Sequence, residues 1–263
     1  AFIGRTQVAH LIGAAASEII FTSGATEANN IVLLGVTDAL VRLNSGRRRI
    51  IVSAIEHKAV LEPAKALAAQ GFHLDFAPVS PDGQLDIEAF LSLMGPDLLL
   101  ASVMLVNNET GVIQPVREAA SLAHSSGAYF HCDAAQAAGK IAIDVGELGV
   151  DYLSLSAHKC YGPMGIGALY IAAGAPKPTP LTFGGGQQQG IRPGTEPVSL
   201  IAGFGAAAHS AAGQLEADQI HALRSVQQLL AALQQRQLRF TPITRNAPVV
   251  PGTAALHFPG IDA

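Results

Sequence analysis

A lysine at the end of an apolar segment is the residue of this sequence with the clearest chemical potential. Lys159 closes the string Ser156-Ala157-His158-Lys159, after a predicted strand and before a turn rich in glycine and proline. Lysine amines condense with carbonyl groups, so a lysine held at a strand end can bind a carbonyl cofactor covalently. A lone lysine at such a place is also typical of an exposed loop. Its meaning therefore depends on its predicted neighbours.

Asp133 and Gln136 follow another predicted strand and suit pyridoxal phosphate (PLP), the commonest cofactor that condenses with a lysine. A carboxylate at Asp133 can pair with the protonated pyridine nitrogen of PLP, which keeps the ring an electron sink. Gln136, three residues further on, can face the same pocket. Taken alone, Asp133 is also typical of a helix cap.

The segment Ser23-Gly24-Ala25-Thr26 predicts a turn from a strand into a helix. The free amides of a helix N-terminus bind phosphate, and the Thr26 hydroxyl can add a further donor. The same pattern is typical of many capped strand–helix turns. It is not a P-loop, because no Gly-Lys-Ser or Gly-Lys-Thr string follows.

His57, Asn108 and a glycine-rich loop complete the candidate site. An imidazole at His57 can lie over a planar ring or transfer protons, although the residue also suits an ordinary histidine without a catalytic role. Asn108 can donate to a ring hydroxyl. The loop 184–195 carries Arg192 and Thr195 among its glycines, and it is either a flexible surface loop or a phosphate contact that crosses a subunit boundary.

Strand-like and helix-like segments alternate along the chain. The predicted strands are Glu18–Thr22, Arg49–Ser53, His73–Val79, Asp97–Leu105, Ala128–Cys132, Asp151–Ser154 and Gly167–Ile171. This alternation predicts an α/β fold with a mostly parallel sheet and helices on both faces. Ligands of such folds bind at the carboxyl ends of the strands, so we expect the polar clusters there to converge on one crevice.

The chain changes character after Thr195, and this change predicts two domains. Residues 1–212 are predicted to form a PLP-binding large domain, and residues 213–263 the start of an incomplete smaller α+β domain. Two long helices are expected, Leu200–Ala212 and Gln214–Gln235, before a strand-like segment at Val249–Phe258. The first residues resemble a chain entered part-way through.

Composition excludes several other classes of protein. Hydrophobic residues make up 49% of the 263 residues and charged residues 14%, which predicts a sizeable core. A net charge of -4 gives no basic field, so neither nucleic acid nor a membrane surface is an expected partner. Cys132 and Cys160 form no zinc-binding pattern, and they suggest reduced thiols of a cytoplasmic protein.

Six strings together resemble one enzyme family. They are F-T-S-G-A-T-E-A-N-N (21–30), E-H-K-A-V (56–60), V-N-N-E-T-G-V-I-Q-P (106–115), H-C-D-A-A-Q-A-A-G-K (131–140), S-A-H-K-C-Y-G-P-M-G-I-G-A-L-Y (156–170) and G-G-G-Q-Q-Q-G-I-R-P-G-T-E-P (184–197). They resemble the cysteine desulfurases, class V aminotransferases within the fold-type I PLP enzymes. The resemblance covers essentially the whole chain, with the strings in the expected order.

The resemblance implies roles for the residues around the cofactor ring. Lys159 matches the lysine that forms a Schiff base with PLP. Asp133 matches the partner of the pyridine nitrogen, and Gln136 matches a donor to the ring oxygen. His57 matches the histidine stacked on the ring, a candidate acid and base, while Asn108 matches a residue near the ring and the substrate.

The resemblance also implies a phosphate site and a homodimer. Ala25 and Thr26 match the phosphate-binding turn, and Ser156 and His158 match further phosphate contacts. Thr195 matches a threonine that reaches the PLP phosphate of the neighbouring subunit.

The implied reaction converts L-cysteine to L-alanine and passes sulfur, as a persulfide, to an acceptor. Members of the family supply sulfur for iron–sulfur cluster assembly, tRNA thiolation and DNA sulfur modification. The nucleophilic cysteine of the family belongs to a loop beyond the segment that resembles Pro251 to Ala263, and neither Cys132 nor Cys160 matches it. A related class V lyase or aminotransferase, such as a selenocysteine lyase, and a truncated PLP-binding relative without turnover are the alternatives.

Overall fold

The computed structural model describes residues 1–43 and 46–261. Residues 262 and 263, the last two of the predicted second domain, lie outside the described residues. Across the described ranges, no helix is both long enough and apolar enough to cross a membrane.

The centre of the molecule is a seven-stranded sheet with the order β1-β7-β6-β5-β4-β2-β3. Its strands are β1 (Ile19–Thr22), β2 (Arg49–Ser53), β3 (His73–Ala77), β4 (Leu98–Ser102), β5 (Tyr129–Asp133), β6 (Tyr152–Ser156) and β7 (Gly167–Ile171). Only β7 runs antiparallel to its two neighbours, β1 and β6, so the other six strands point the same way. The predicted mostly parallel sheet is confirmed.

Helices connect the strands. They are α1 (Phe2–Leu11), α2 (Ala25–Asn30), α3 (Thr37–Arg42), α4 (Lys58–Ala69), α5 (Ile87–Ser92), α6 (Val116–Ser125), α7 (Val145–Leu148) and α8 (Val198–Gln235). A π-helical segment, Ile31–Val36, joins α2 to α3, so the backbone stays helical from residue 25 to residue 42. That run begins where β1 ends and carries the predicted phosphate-binding turn.

Both faces of the sheet are buried, as the apolar strands predict. Along β2, Ile51 packs into one hydrophobic cluster while Ile50 and Val52 pack into the other. Successive residues of a strand point to opposite faces, so this alternation places one cluster on each side. One cluster includes residues of α1, α6 and α8, and the other includes residues of α2, α3 and α4. The prediction of helices on both faces is confirmed.

The long helix α8 corrects one prediction. We expected two helices separated at Gly213, but a single helix runs from Val198 to Gln235. One glycine inside a helix costs only about 1 kcal/mol relative to alanine, which the neighbouring turns offset. The first part of α8 packs closely on α1, where a Cβ atom on Gly205 would collide with the backbone of Gly4. The helix crosses the proposed boundary at residue 212, and the division into two domains stays a prediction.

The last described segment contains less strand than the sequence suggested. Thr241–Pro242 (β8) pairs antiparallel with Leu256–His257 (β9), and these four residues form a separate two-stranded sheet. Within the predicted strand Val249–Phe258, the other described contact of this kind is a single bridge between Val249 and Val112.

Candidate active site

The carboxyl ends of the parallel strands meet at one cavity of about 570 Å³. Nine of the ten predicted site residues line it: Ala25, Thr26, His57, Asn108, Asp133, Gln136, Ser156, His158 and Lys159. They lie at or after the carboxyl ends of β1, β2, β4, β5 and β6. Because parallel strands end at the same edge of a sheet, residues far apart in sequence converge here, as the clusters predicted.

Thr195 is the predicted site residue that does not line the cavity. It lies exposed in the loop that precedes α8. A contact between Thr195 and a neighbouring subunit stays a prediction.

Lys159 presents the one amine among the described residues that line the cavity. It ends a 3-10 turn, Ala157–Lys159, that begins directly after β6. The side chain is exposed, whereas the preceding residues of β6 are buried. The Ser156 hydroxyl lies 2.9 Å from Nδ1 of His158, so these two predicted phosphate contacts are also hydrogen-bonded to each other.

Asp133 is a buried carboxylate at the end of β5, with only 5% of its surface exposed. Its Oδ1 accepts a hydrogen bond from the Ala135 amide at 2.9 Å, and its Oδ2 accepts one from Nδ2 of Asn29 at 2.7 Å. Burial raises the pKa of Asp133, while these two hydrogen bonds and the nearby His57 side chain oppose the rise. A cationic group in the cavity would therefore be favoured next to this carboxylate.

Asn29 is a site residue that the sequence analysis missed. Its side chain is fully buried, and its Oδ1 has no hydrogen-bond partner in the part of the chain that the structure describes. Asn29 lies three residues after Thr26 in one helix, and this spacing puts both on the same helix face. That spacing was the available signal, because Thr26 was already a candidate.

His57 caps the N-terminus of α4. Its Nδ1 accepts a hydrogen bond from the Ala59 amide at 3.1 Å. The neutral ring therefore carries its proton on Nε2, which leaves that atom available as a donor. Capping fixes the ring at the cavity wall and suits the predicted contact with a planar ring.

The two neighbouring asparagines after β4 have different roles. The Oδ1 of Asn107 accepts hydrogen bonds from the amides of Glu109 and Thr110 at 3.0 and 2.9 Å, so Asn107 shapes the loop. Its Nδ2 donates to the Ile55 carbonyl at 3.1 Å and ties the loop to the turn after β2. Asn108, by contrast, is exposed and lines the cavity.

Gln136 is oriented by a lysine that the sequence analysis did not select. The Nζ of Lys140 donates to Oε1 of Gln136 at 2.7 Å. With its oxygen engaged, Gln136 keeps its amide protons free to donate, as the predicted contact with a ring oxygen requires. Burial lowers the pKa of Lys140, and the neighbouring charge of Lys159 lowers it further.

The glycine-rich loop is docked onto the fold. Gln188 is buried, and its Oε1 accepts from the Phe21 amide at 2.8 Å and from Nη1 of Arg5 at 3.1 Å. Arg192 donates to Oε1 of Glu27 at 3.0 Å, and Glu27 lies in the first turn of α2. These contacts argue against the flexible-loop alternative and link the loop to the predicted phosphate turn.

Comparisons with known proteins agree with this geometry. The family model for aminotransferase class V matches residues 4–263. The chain belongs to the class V aminotransferase family. Members of this family, including the cysteine desulfurases, are PLP-dependent enzymes.

Within this family, the chain is similar to two curated cysteine desulfurases and to one solved NifS-like protein. The chain is 42% identical over 263 residues to cysteine desulfurase IscS of Ehrlichia chaffeensis, covering 99% of this chain and 63% of that protein. It is 46% identical over 231 residues to the mitochondrial cysteine desulfurase of Saccharomyces cerevisiae, covering 87% of this chain and 46% of that protein. A solved NifS-like protein superposes with a TM-score of 0.92 at 38% identity, over 98% of this chain and 70% of that one.

These matches confirm the predicted fold-type I architecture. The chain spans about half to two thirds of the length of the two curated relatives.

The cavity suits the cofactor of this family. A buried carboxylate at Asp133 with no cationic partner in direct contact among the described residues matches a protonated ring nitrogen. The start of α2 offers amides to a phosphate group, since the first amides of a helix have no partner within it. Lys159 supplies an amine at the same cavity. The cavity thus offers a carboxylate for the ring nitrogen of PLP, an amine for its aldehyde and backbone amides for its phosphate.

Proposed function

We propose that this chain is the larger part of a PLP-dependent cysteine desulfurase. The observation that carries the proposal is the convergence of Lys159, Asp133, His57 and Asn108 on one cavity. The names of the similar proteins supply the reaction. A cysteine desulfurase takes L-cysteine, leaves L-alanine and passes the sulfur to an acceptor.

Each side chain has a distinct task in the proposed site. Lys159 would hold the cofactor through its amine and, as a free amine, would take the proton from the substrate α-carbon. Asp133 holds the ring nitrogen in its protonated form, and Gln136 donates to the ring oxygen. His57 covers the ring and offers Nε2–H as an acid. When bound, PLP supplies a ring that stores the charge left at the α-carbon.

The phosphate group is proposed to bind at the junction of two strand ends. Ala25 and Thr26 offer the start of α2, while Ser156 and His158 approach from the end of β6. Thr195 is proposed to contact the phosphate bound by a second copy, which would make the enzyme a homodimer. Its exposed position leaves it accessible to a neighbouring subunit.

The sulfur-accepting thiolate is proposed to come from another part of the full-length protein. Cys132 and Cys160 are free thiols with exposures of 0% and 1%. Burial raises the pKa of both, and a buried thiol is a poor nucleophile. The same two free thiols support a cytoplasmic location as part of the proposal.

Borohydride reduction of the PLP-loaded full-length protein tests the cofactor assignment. We expect mass spectrometry to find a pyridoxyl group on Lys159, and Lys159→Ala to give a colourless protein. A yellow Lys159→Ala protein with PLP covalently held at another lysine would contradict the assignment.

Product analysis tests the reaction. The full-length protein, given L-cysteine and a reductant, should release alanine and sulfide in equal amounts. If Lys159 carries the pyridoxyl label but no alanine forms from cysteine, the protein binds PLP but is not a cysteine desulfurase. Alanine formed from selenocysteine alone would identify the related lyase.

A further inference from the structure

Glu56 is a buried acid that the proposed reaction does not use. It lies in the turn between β2 and α4, directly before His57, with 5% of its surface exposed. Charged residues are rarely buried to this extent unless they are paired. A carboxyl group buried at the position of Glu56 is therefore expected either to have a partner or to be neutral.

The carboxyl group of Glu56 connects two walls of the cavity. Its Oε1 accepts from the Ser53 hydroxyl at 2.6 Å, within its own turn. The same oxygen accepts from the Met104 amide at 2.6 Å, in the segment that leaves β4. Met104 lines the cavity together with His57 and Asn108. Glu56 thus fastens the turn that carries His57 to the segment that carries Asn108.

The other oxygen of Glu56 shows which form of the acid is favoured. Oε2 is buried and has no hydrogen-bond partner among residues 1–43 and 46–261. A buried anionic oxygen without a donor is costly, whereas a protonated oxygen carries no charge. Burial, followed by the charge of Asp133, raises the pKa of Glu56 to about 8, although the hydrogen bonds from Ser53 and Met104 oppose the rise.

Glu56 and Asp133 are both buried carboxyl groups, and their charges interact. Asp133 accepts a hydrogen bond on each of its oxygens, so it is the better placed of the two to carry a negative charge. The remaining titratable neighbours are Cys132, also on β5, and the adjacent His57. Burial keeps Cys132 a neutral thiol, since it raises the pKa of that group well above its usual value.

We propose that Glu56 is a positioning residue that holds the His57 turn against the exit of β4 as a neutral acid. In this form it leaves Asp133 as the buried negative charge that faces the cofactor ring. The inference rests on the proposed PLP site and adds to it a residue outside the cavity wall. A protonated Glu56 avoids two adjacent buried anions, a pairing that costs free energy in a low-dielectric interior.

Two substitutions in the PLP-loaded full-length protein separate charge from shape. Glu56→Gln keeps an acceptor oxygen and is neutral at every pH, so the dissociation constant for PLP should stay within about threefold of the wild-type value. Glu56→Leu removes the acceptor and leaves the Met104 amide without a partner, so we expect the constant to rise about tenfold. The difference infrared spectrum between wild type and Glu56→Gln, taken at about pH 6, should show the carbonyl stretch of a protonated carboxylic acid.

Three outcomes would overturn the proposal. They are the absence of the acid band at that pH, tight PLP binding by Glu56→Leu with an unchanged cofactor spectrum, and loss of PLP binding by Glu56→Gln. If Glu56→Leu does not fold, the infrared band and the affinity of Glu56→Gln for PLP still test the proposal. Borohydride labelling of Lys159 in the same wild-type sample tests the PLP site itself, so failure of that site is distinguishable from failure of the Glu56 proposal.

Discussion

The side-chain amide of Asn29 donates a hydrogen bond to Oδ2 of Asp133 at 2.7 Å, across 104 positions of the chain. Both groups are buried. This bond joins the helix that follows β1 to the end of β5, and it stabilises the charged form of Asp133. Hydrogen bonds to charged groups are stronger than neutral ones, about 1.5–3 kcal/mol each. In the proposed site, Asn29 therefore acts on the cofactor ring through Asp133.

We expect Asn29→Leu to weaken PLP binding about tenfold, because Asp133 then loses a donor to its carboxylate. The same loss should raise the pKa of Asp133, since the Asn29 hydrogen bond lowers it. Affinity for PLP falls as Asp133 becomes protonated, so in the variant the fall should begin at a higher pH than in the wild type. Cofactor absorbance titrated across pH measures this shift.

Asn30→Leu is the matched control for that change. Asn30 is the next residue in α2, and its amide donates to the Thr26 carbonyl at the protein surface. Its substitution should leave the pH at which affinity falls unchanged. Equal shifts in the two variants would show that the effect arises from the helix and not from the bond to Asp133.

Lys140 should act on PLP binding mainly through Gln136, its hydrogen-bonded neighbour in the site. Lys140→Met removes the donor to Oε1 of Gln136 and frees the amide to rotate, so we expect PLP binding to weaken about fivefold. In a Gln136→Leu background the same change should have almost no further effect. A double-mutant cycle of PLP dissociation constants measures this coupling. Additive losses would mean that Lys140 contacts the ligand or stabilises the site in another way.

The sequence was sufficient to predict that residues at strand ends converge on one cavity. It was insufficient to identify the buried residues that hold them in place. Lys159 and Asp133 follow apolar strands, and the topology of a parallel sheet brings such positions together. Asn29 and Glu56 act through contacts with Asp133 and Met104, which are distant in sequence, so no local pattern reveals those contacts. The predicted break in α8 was wrong because the single glycine at Gly213 costs too little to end a helix, and the neighbouring turns offset that cost.

The docking of the glycine-rich loop should depend on the second of its three consecutive glutamines. Gln188 is buried with a φ of 50°, and its Oε1 accepts from the Phe21 amide of β1. Gln188→Ala leaves this buried amide unsatisfied, so we expect the free energy of unfolding to fall by about 2 kcal/mol. Urea denaturation followed by circular dichroism measures the change.

Gln187→Ala is the comparison for that variant. Gln187 is exposed, and its Oε1 accepts from the Gly194 amide at the surface. Surface changes of this kind usually stay within about 0.5 kcal/mol. If both substitutions lowered the free energy of unfolding by similar amounts, the whole loop would contribute to stability, and the contact with Phe21 would contribute no more than the surface contacts.

Stability at acid pH should depend on His131, a buried histidine of β5. Its Nδ1 lies 2.8 Å from the Ser102 hydroxyl and its Nε2 lies 3.0 Å from the Ser154 hydroxyl. Burial lowers the pKa of His131 from 6.5 to about 3. Between these values the unfolded chain binds one more proton than the folded chain, so this group makes the free energy of unfolding fall as pH falls below 6.5.

The expected size of this effect is about 1.4 kcal/mol for each pH unit, or about 2 kcal/mol between pH 6.5 and pH 5. Glu56 acts in the opposite direction, because its raised pKa makes the protonated folded form more stable as pH falls from about 8. The wild-type profile alone therefore mixes two opposing slopes.

His131→Gln keeps hydrogen-bonding groups but does not titrate, so subtracting its urea-unfolding profile from that of the wild type should isolate the His131 slope. The exposed His209→Gln is the matched control and should reproduce the wild-type profile, whereas a flat difference for His131→Gln would contradict the assignment of a neutral, buried imidazole.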